Sequence, residues 1–512
     1  MQLYSENKDY KLYQGNMLDM LDVIELNSID SIITDPPYEL NFMGKGWDNS
    51  GIAFKKETWE KCYEVLKAGG YLLAFGGSRT FHRIACAIED AGFEIRDTIM
   101  WLYGSGFPKS LNIGLAIDKK KGVESKAIGK TLAHGYSNVM KGGQYEKGNS
   151  EKYVDIKEAQ NEWQGWGTAL KPSFEPIIVA RKPFKGSLVD NVIEYGVGGI
   201  NIDECRVGEI GGVKKVNIEP NSGSKNSGFG CNGKLEELNK GRFPANTILT
   251  YDETDYDEVC GEFPYTKGGN RHNTVIRLED STSYGGKAGS FNTRNEFNDS
   301  GSASRYFYCA KASKKDRDEG LDEFEEKGAK ELLNREENSK GASWNGEYSS
   351  GNAYAGAGCP KKNTHPTVKP TELMQYLVRL VSPDGATILD CFNGSGSTGK
   401  AVMYENKERN KNYKYIGIEL TPEYLPIAKA RIEFVCNLTQ EELKEQQMTI
   451  FDYLSLKSEV KMEEMTIEEL TKLFIKEDFE ERKEKKYYKI TKKEMINLCL
   501  KVVKLMESVK NG

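Results

Sequence analysis

Two stretches near opposite ends of this 512-residue chain alternate strand with helix, and neither carries enough strands for a complete parallel sheet. In the first, 31–34 is a short apolar run that stops at Asp35-Pro36-Pro37. Residues 58–67 have helical spacing and end at Gly69-Gly70, 71–75 form a β-run closed by Gly76-Gly77, 79–91 read as a helix and 93–101 as another strand. In the second stretch, 371–380 is helical and 387–390 is a buried-type strand followed by a glycine loop and a helix. The next strand is 413–419 and the next helix 422–435. Strands separated by helices of this length imply parallel pairing through crossovers. The expected fold is therefore a single α/β sheet assembled from both ends of the chain.

Between them, 105–360 has another character: Gly, Asn, Ser and Lys dominate, and apolar periodicity is weak. β-like islands remain at 174–181, 247–251 and 305–310. A structureless connection of this length is rare inside one domain, and its Trp and Phe residues argue against pure disorder. An inserted domain with long loops is the expectation. The tail is rich in Lys and Glu; Thr466-x-x-Glu469 and Thr491-x-x-Glu494 read as capping boxes ahead of amphipathic runs. The expected units are 1–104, 105–360, 361–436 and a small helical tail, 437–512.

No segment approaches the roughly 18 apolar residues of a membrane span, and the polar start is not a signal peptide. The ten cysteines are scattered with no C-x-x-C pair, so neither a disulfide framework nor a metal site is indicated. The expectation is a cytoplasmic protein with no metal and no membrane partner. A net charge of −6 means that nucleic-acid affinity requires a local basic surface. Lys119-Lys120-Lys121, Lys171, Arg181-Lys182 and Lys314-Lys315 are the candidates for phosphate contacts.

The strand at 387–390 runs into Asp390-Cys-Phe-Asn-Gly394-Ser-Gly396-Ser-Thr-Gly-Lys400. Glycines at 394 and 396 permit a tight turn and a close backbone approach, and the helix behind offers free N–H groups to an anion. Glu419, ending the next strand, is placed to accept from ribose hydroxyls. Three ligands suit such a loop. A nucleoside triphosphate would match Gly394-x-x-x-x-Gly399-Lys400, yet Ala401 stands where a magnesium-holding Ser or Thr belongs. A dinucleotide would match the triplet Gly394, Gly396, Gly399. S-adenosylmethionine suits Asp390, whose carboxylate would repel a pyrophosphate but fits a cationic methionine end.

At Asp35-Pro36-Pro37-Tyr38 an apolar strand stops at a carboxylate, two prolines and an aromatic ring. The prolines stiffen the loop. A carboxylate oxygen beside the Pro36 carbonyl makes two rigid acceptors, which match an exocyclic amine, and Tyr38 offers a stacking face. Such an acceptor pair favours a pyramidal nitrogen and aims its lone pair at an electrophile, by positioning and electrostatics alone.

Asp35-Pro-Pro-Tyr38 together with Asp390-x-Phe392-x-Gly394-x-Gly396 resembles the amino-methyltransferases that act on DNA. The order, with catalytic motif first and cofactor motif last, is similar to their circularly permuted β group. Residues 101–109, 166–176 and His365-Pro-Thr-Val-Lys369-Pro370 resemble stretches found in phage and bacterial members. Cys391 departs from the usual proline, and Asn16 stands where Asp is more usual. The resemblance implies a Rossmann-like, circularly permuted sheet with S-adenosyl-L-methionine as cofactor and double-stranded DNA as partner. It also implies a target-recognition region within 105–360. Asp35, Pro36, Pro37 and Tyr38 would face the base. Asp390, Phe392, Gly394, Gly396, Ser397 and Glu419 would hold the cofactor, with Lys369 and Pro370 near its methionine end. The resemblance further implies that Asp at position 35 goes with adenine N6 rather than cytosine N4. A P-loop ATPase is the competing class, against which stand Ala401 and the motif order.

Gln447-Met-Thr-Ile-Phe451 resembles the peptide by which bacterial proteins dock on the replication sliding clamp. A homodimer is compatible with the sequence, which does not require one.

Overall fold

A computed structural model describes residues 2–40, 46–103, 110–132, 139–141, 144–146, 153–208, 213–217, 233–237, 240–251, 265–266, 301–302, 307–311, 314–327 and 362–447. They fall in two units, 1–437 and 438–512.

In the first unit, ten strands among the described residues form one sheet. They are β1 (Gln2–Glu6), β2 (Tyr10–Gln14), β3 (Ile29–Thr34), β4 (Leu66–Phe75), β5 (Glu94–Tyr103), β6 (Phe174–Arg181), β7 (Thr247–Tyr251), β8 (Tyr308–Lys311), β9 (Thr387–Asp390) and β10 (Lys414–Glu419). Their order across the sheet is β1-β2-β10-β9-β3-β4-β6-β5-β7-β8. Pairing is parallel except at β1·β2, β4·β6 and β6·β5.

The two chain ends interleave in this sheet. β9 sits between β10 and β3, with Ile388 beside both Ser31 and Tyr415 and Leu389 beside Ile32. β3 is buried along its whole length, as a central strand covered on both faces must be. The helices that pack against this sheet or against one another include α1 (Met17–Leu21), α2 (Lys56–Val65), α3 (Phe81–Asp90), α4 (Lys314–Asp318), α5 (Thr371–Val381), α6 (Ser397–Arg409) and α7 (Leu425–Asn437). α2 buries Thr58, Trp59, Cys62 and Val65, one stripe at helical spacing. It stops at Val65, two residues before the sequence expectation, because Leu66 turns extended and pairs with Ile29 as the start of β4.

Three strands from within 105–360 belong to the main sheet. β6, whose last six residues are buried, slots between β4 and β5, and β7 and β8 extend the far edge. No helix among the described residues is long and apolar enough to cross a membrane.

In the second unit the described helix is Gln440–Gln447, opened by a reciprocal cap. The Thr439 hydroxyl accepts from the Glu442 N–H, and the Glu442 carboxylate accepts from the Thr439 N–H. The capping boxes at 466 and 491, and residues 448–451 of the clamp-like peptide, lie outside the described residues.

Candidate active site

Three parallel neighbours, β3, β9 and β10, end at Thr34, Asp390 and Glu419. Ligands of α/β sheets bind at that carboxyl edge. A cavity of about 730 Å³ opens there, lined by Asp35–Tyr38, Phe392–Ser395 and Glu419 together with Asn16, Asp48, Glu175, His365, Lys369 and Asp390. Its size suits a nucleoside-sized ligand.

The Asp35 loop is braced from both sides. The Asp48 carboxylate accepts from the N–H groups of Glu39 and Leu40, at 2.9 and 3.2 Å. The Thr80 hydroxyl donates to the Tyr38 carbonyl at 2.8 Å. Asp35 Oδ2 lies 2.6 Å from Lys369 Nζ. Asp35 Oδ1 is buried and has no hydrogen-bond partner among the described residues. A buried carboxylate oxygen left unpaired is costly and points to a donor that arrives with a ligand. Burial, with the Asp35 and Glu175 carboxylates beside it, pushes the Tyr38 phenol well above its usual range. Burial alone would lower the Lys369 ammonium; Asp35 and then Glu175 outweigh it, and the net shift is upward.

On the glycine-loop side, Asp390 accepts from the Thr34 hydroxyl at 2.7 Å, the Thr398 hydroxyl at 2.6 Å and the Phe392 N–H at 3.1 Å. It thereby staples β3 to the loop. Burial raises its carboxyl to about 6. Glu419 accepts from the Gly394 and Thr421 N–H groups, each at 2.7 Å, and burial raises it to about 7. Gly394 has φ +52°, and a Cβ there would come within 2.9 Å of His365 Nε2. The loop can thus follow the cavity wall closely only with glycine at this position. Burial lowers the His365 imidazole to about 3, so the ring is neutral.

Among the expected residues, Asp35, Pro36, Pro37, Tyr38, Lys369, Asp390, Phe392, Gly394, Ser397 and Glu419 line the cavity. Gly396 stands behind it, opening α6 at φ +73° against Ala428, and Pro370 opens α5. Asn16 lines the cavity while its side chain caps α1. Lys369, expected at the cofactor, lines the cavity with its ammonium on Asp35. Glu175 and Asp48 were missed. Glu175 carried one signal, a carboxylate on the apolar run at 174–181; Asp48 carried none. Of the proposed phosphate contacts, Arg181 pairs with Glu94 at 2.7 Å, and Lys182 donates to Asn27 and to two backbone carbonyls. Both are buried and engaged inside the fold, so neither serves on the surface. Lys400, which a phosphate loop would aim at its ligand, is fully buried between Asp316 and Glu319. That removes the side chain on which the ATPase alternative depended.

Residues 29–430 match the N6/N4 methyltransferase family, described as DNA methylase. The chain belongs to the N6/N4 DNA methylase family. Members of this family draw their methyl group from S-adenosylmethionine. The chain is 23% identical to the type II methyltransferase M.HindIII of Haemophilus influenzae over 234 residues, covering 37% of this chain and 64% of that one. It is 36% identical to M.HpaI of Haemophilus parainfluenzae over 111 residues, covering 20% and 34%. The chain thus spans between a third and just under two thirds of these curated relatives. Among solved structures, the PvuII cytosine-N4-specific DNA methyltransferase aligns with 87% of this chain and 94% of its own at 12% identity and a TM-score of 0.34.

The cavity's residues fit the family's cofactor. Five carboxyl groups line it against Lys55, Arg317 and Lys369, with His365 neutral, which favours a ligand carrying positive charge.

Proposed function

We propose that this chain transfers a methyl group from S-adenosylmethionine to the exocyclic amine of a base in duplex DNA, with adenine N6 as the acceptor. The observation that carries the proposal is Asp35 Oδ1, buried and without a hydrogen-bond partner among the described residues, in a cavity shared with the 390–398 loop.

The bound cofactor supplies an electrophilic methyl group on a sulfonium that is already a good leaving group. The chain supplies the rest. An amine inside a duplex cannot reach this depth, so the nucleotide turns out of the stack at a cost of a few kcal/mol. Tyr38 stacks on the base. Asp35 Oδ1 and the Pro36 carbonyl accept its two amine hydrogens and direct the nitrogen lone pair across the cavity toward the glycine loop. Glu419 accepts from ribose hydroxyls while holding Gly394. On accepting the methyl group, with the sulfide as the leaving group, the amine nitrogen would become cationic and would lose one proton by way of Asp35 to solvent. The parts of 105–360 outside the main sheet are assigned to target recognition.

Expression in a host lacking DNA methylation, followed by modification-sensitive sequencing, tests this reading. N6-methyladenine at one recurring motif supports it. N4-methylcytosine corrects the base, and an unmodified genome contradicts the reading.

A further inference from the structure

Glu175 lies on β6, remote in sequence from both motifs, yet it touches the side chains that surround Asp35. Its Oε2 accepts from the Tyr38 hydroxyl at 2.6 Å and lies 3.5 Å from Lys369 Nζ. Its Oε1 accepts from the Tyr103 hydroxyl at 3.4 Å. Lys369 Nζ also sits 4.9 Å from the centre of the Phe75 ring and 5.4 Å from that of Tyr38. Its side chain is 7% exposed. Asp35, Glu175 and Lys369 therefore form a nearly enclosed cluster with one net negative charge.

An ammonium with a single carboxylate neighbour closes into a neutral pair and competes for both oxygens. Here Glu175 takes part of the ammonium's attraction, and Lys369 engages Oδ2 of Asp35 while Oδ1 stays open. The residual charge also has a use. A nitrogen that becomes cationic during transfer is stabilised by a fixed anion, and strongly so where water is scarce.

We propose that Glu175 is a positioning residue for the transfer: it fixes Tyr38 as the stacking face and holds Lys369 so that Asp35 keeps one oxygen for the amine. The proposal rests on the methyl-transfer reading above. In Glu175→Gln the cluster becomes neutral and Lys369 turns wholly to Asp35. Glu175→Asp keeps the charge but is one methylene too short to reach Tyr38 and Lys369 together.

The test is incorporation of tritiated methyl from saturating S-adenosylmethionine into genomic DNA from a methylation-free host, by the full chain and both variants. The expected kcat falls about 100-fold for Glu175→Gln and about tenfold for Glu175→Asp. KM for DNA stays within about threefold in both, the pattern of an interaction made in the transition state. Unchanged S-adenosylhomocysteine affinity shows that the variants are folded. If Glu175→Gln does not melt cooperatively, Glu175→Asp decides alone by the same kcat and KM pattern. An active wild type whose folded variants keep kcat, or lose only KM, overturns this proposal and spares the function. A wild type with no incorporation overturns the function and this proposal with it.

Discussion

The Thr34 hydroxyl donates to Asp390 Oδ1 at 2.7 Å, joining residues 356 positions apart at the ends of adjacent parallel strands. Thr34 immediately precedes Asp35, and Asp390 opens the glycine loop, so this bond sets the distance between the two halves of the site. Thr34→Val keeps the shape and removes the donor. Asp390 Oδ1 then retains the Phe392 N–H as its partner, and its carboxyl rises further above about 6. The expected loss is about 1–3 kcal/mol in urea denaturation, and Thr34→Ser recovers most of it.

Lys369→Met leaves Asp35 and Glu175 facing each other with no cation between them. Breaking a buried pair in this way costs about 3–5 kcal/mol. Urea denaturation of the variant beside the wild type checks the size of the loss.

Lys400 separates a methylase loop from a phosphate loop. Its ammonium contacts Asp316 and Glu319 at the base of α6. Lys400→Met is expected to destabilise the fold by about 3 kcal/mol while the folded protein binds S-adenosylhomocysteine normally, and the wild type shows no ATP binding in calorimetry. ATP binding lost in a variant of normal stability would reverse the assignment.

With Glu419 receiving the ribose hydroxyls as proposed, cofactor affinity is expected to depend on pH. The Glu419 carboxyl stands near 7 because burial disfavours the charge, and the ionised form is the better acceptor for ribose hydroxyls. The Kd of S-adenosylhomocysteine is expected to weaken about tenfold from pH 8 to pH 6, following the ionised fraction. The free protein runs the other way. A raised folded-state pKa contributes stability below the unfolded value near 4.5, and that contribution is lost as pH rises through about 7. A flat binding profile would contradict the role given to Glu419.

Much of this site is legible in the sequence because its signals are local. Asp35-Pro36-Pro37-Tyr38 announces a stiff loop after a strand, and Gly394 and Gly396 announce backbone at φ values that other residues avoid. β6 and β7 match their sequence bounds because apolar runs of five to eight residues carry their own pattern. Their membership of the main sheet is not local: nothing in 174–181 says that it will pair with both β4 and β5. Glu175 acts through tertiary contacts with residues far away in the chain, which a single sequence does not display, and Asp48 acts on backbone N–H groups of a loop eight and nine positions back, which no side-chain pattern announces. Lys369 illustrates the middle case. Its segment stands out, but its ion-pair partner, Asp35 just past the end of β3, lies 334 positions away, and no local pattern names it.

The most direct test separates binding from transfer at Asp35. The Asp35→Ala variant, expressed in a methylation-free host and assayed for S-adenosylhomocysteine binding in parallel, is expected to hold the cofactor within about threefold of the wild type. Its methyl transfer should fall by at least about 100-fold, leaving the genome unmodified where the wild type marks a motif. A variant that binds cofactor and still methylates the genome would show that this carboxylate does not present the amine.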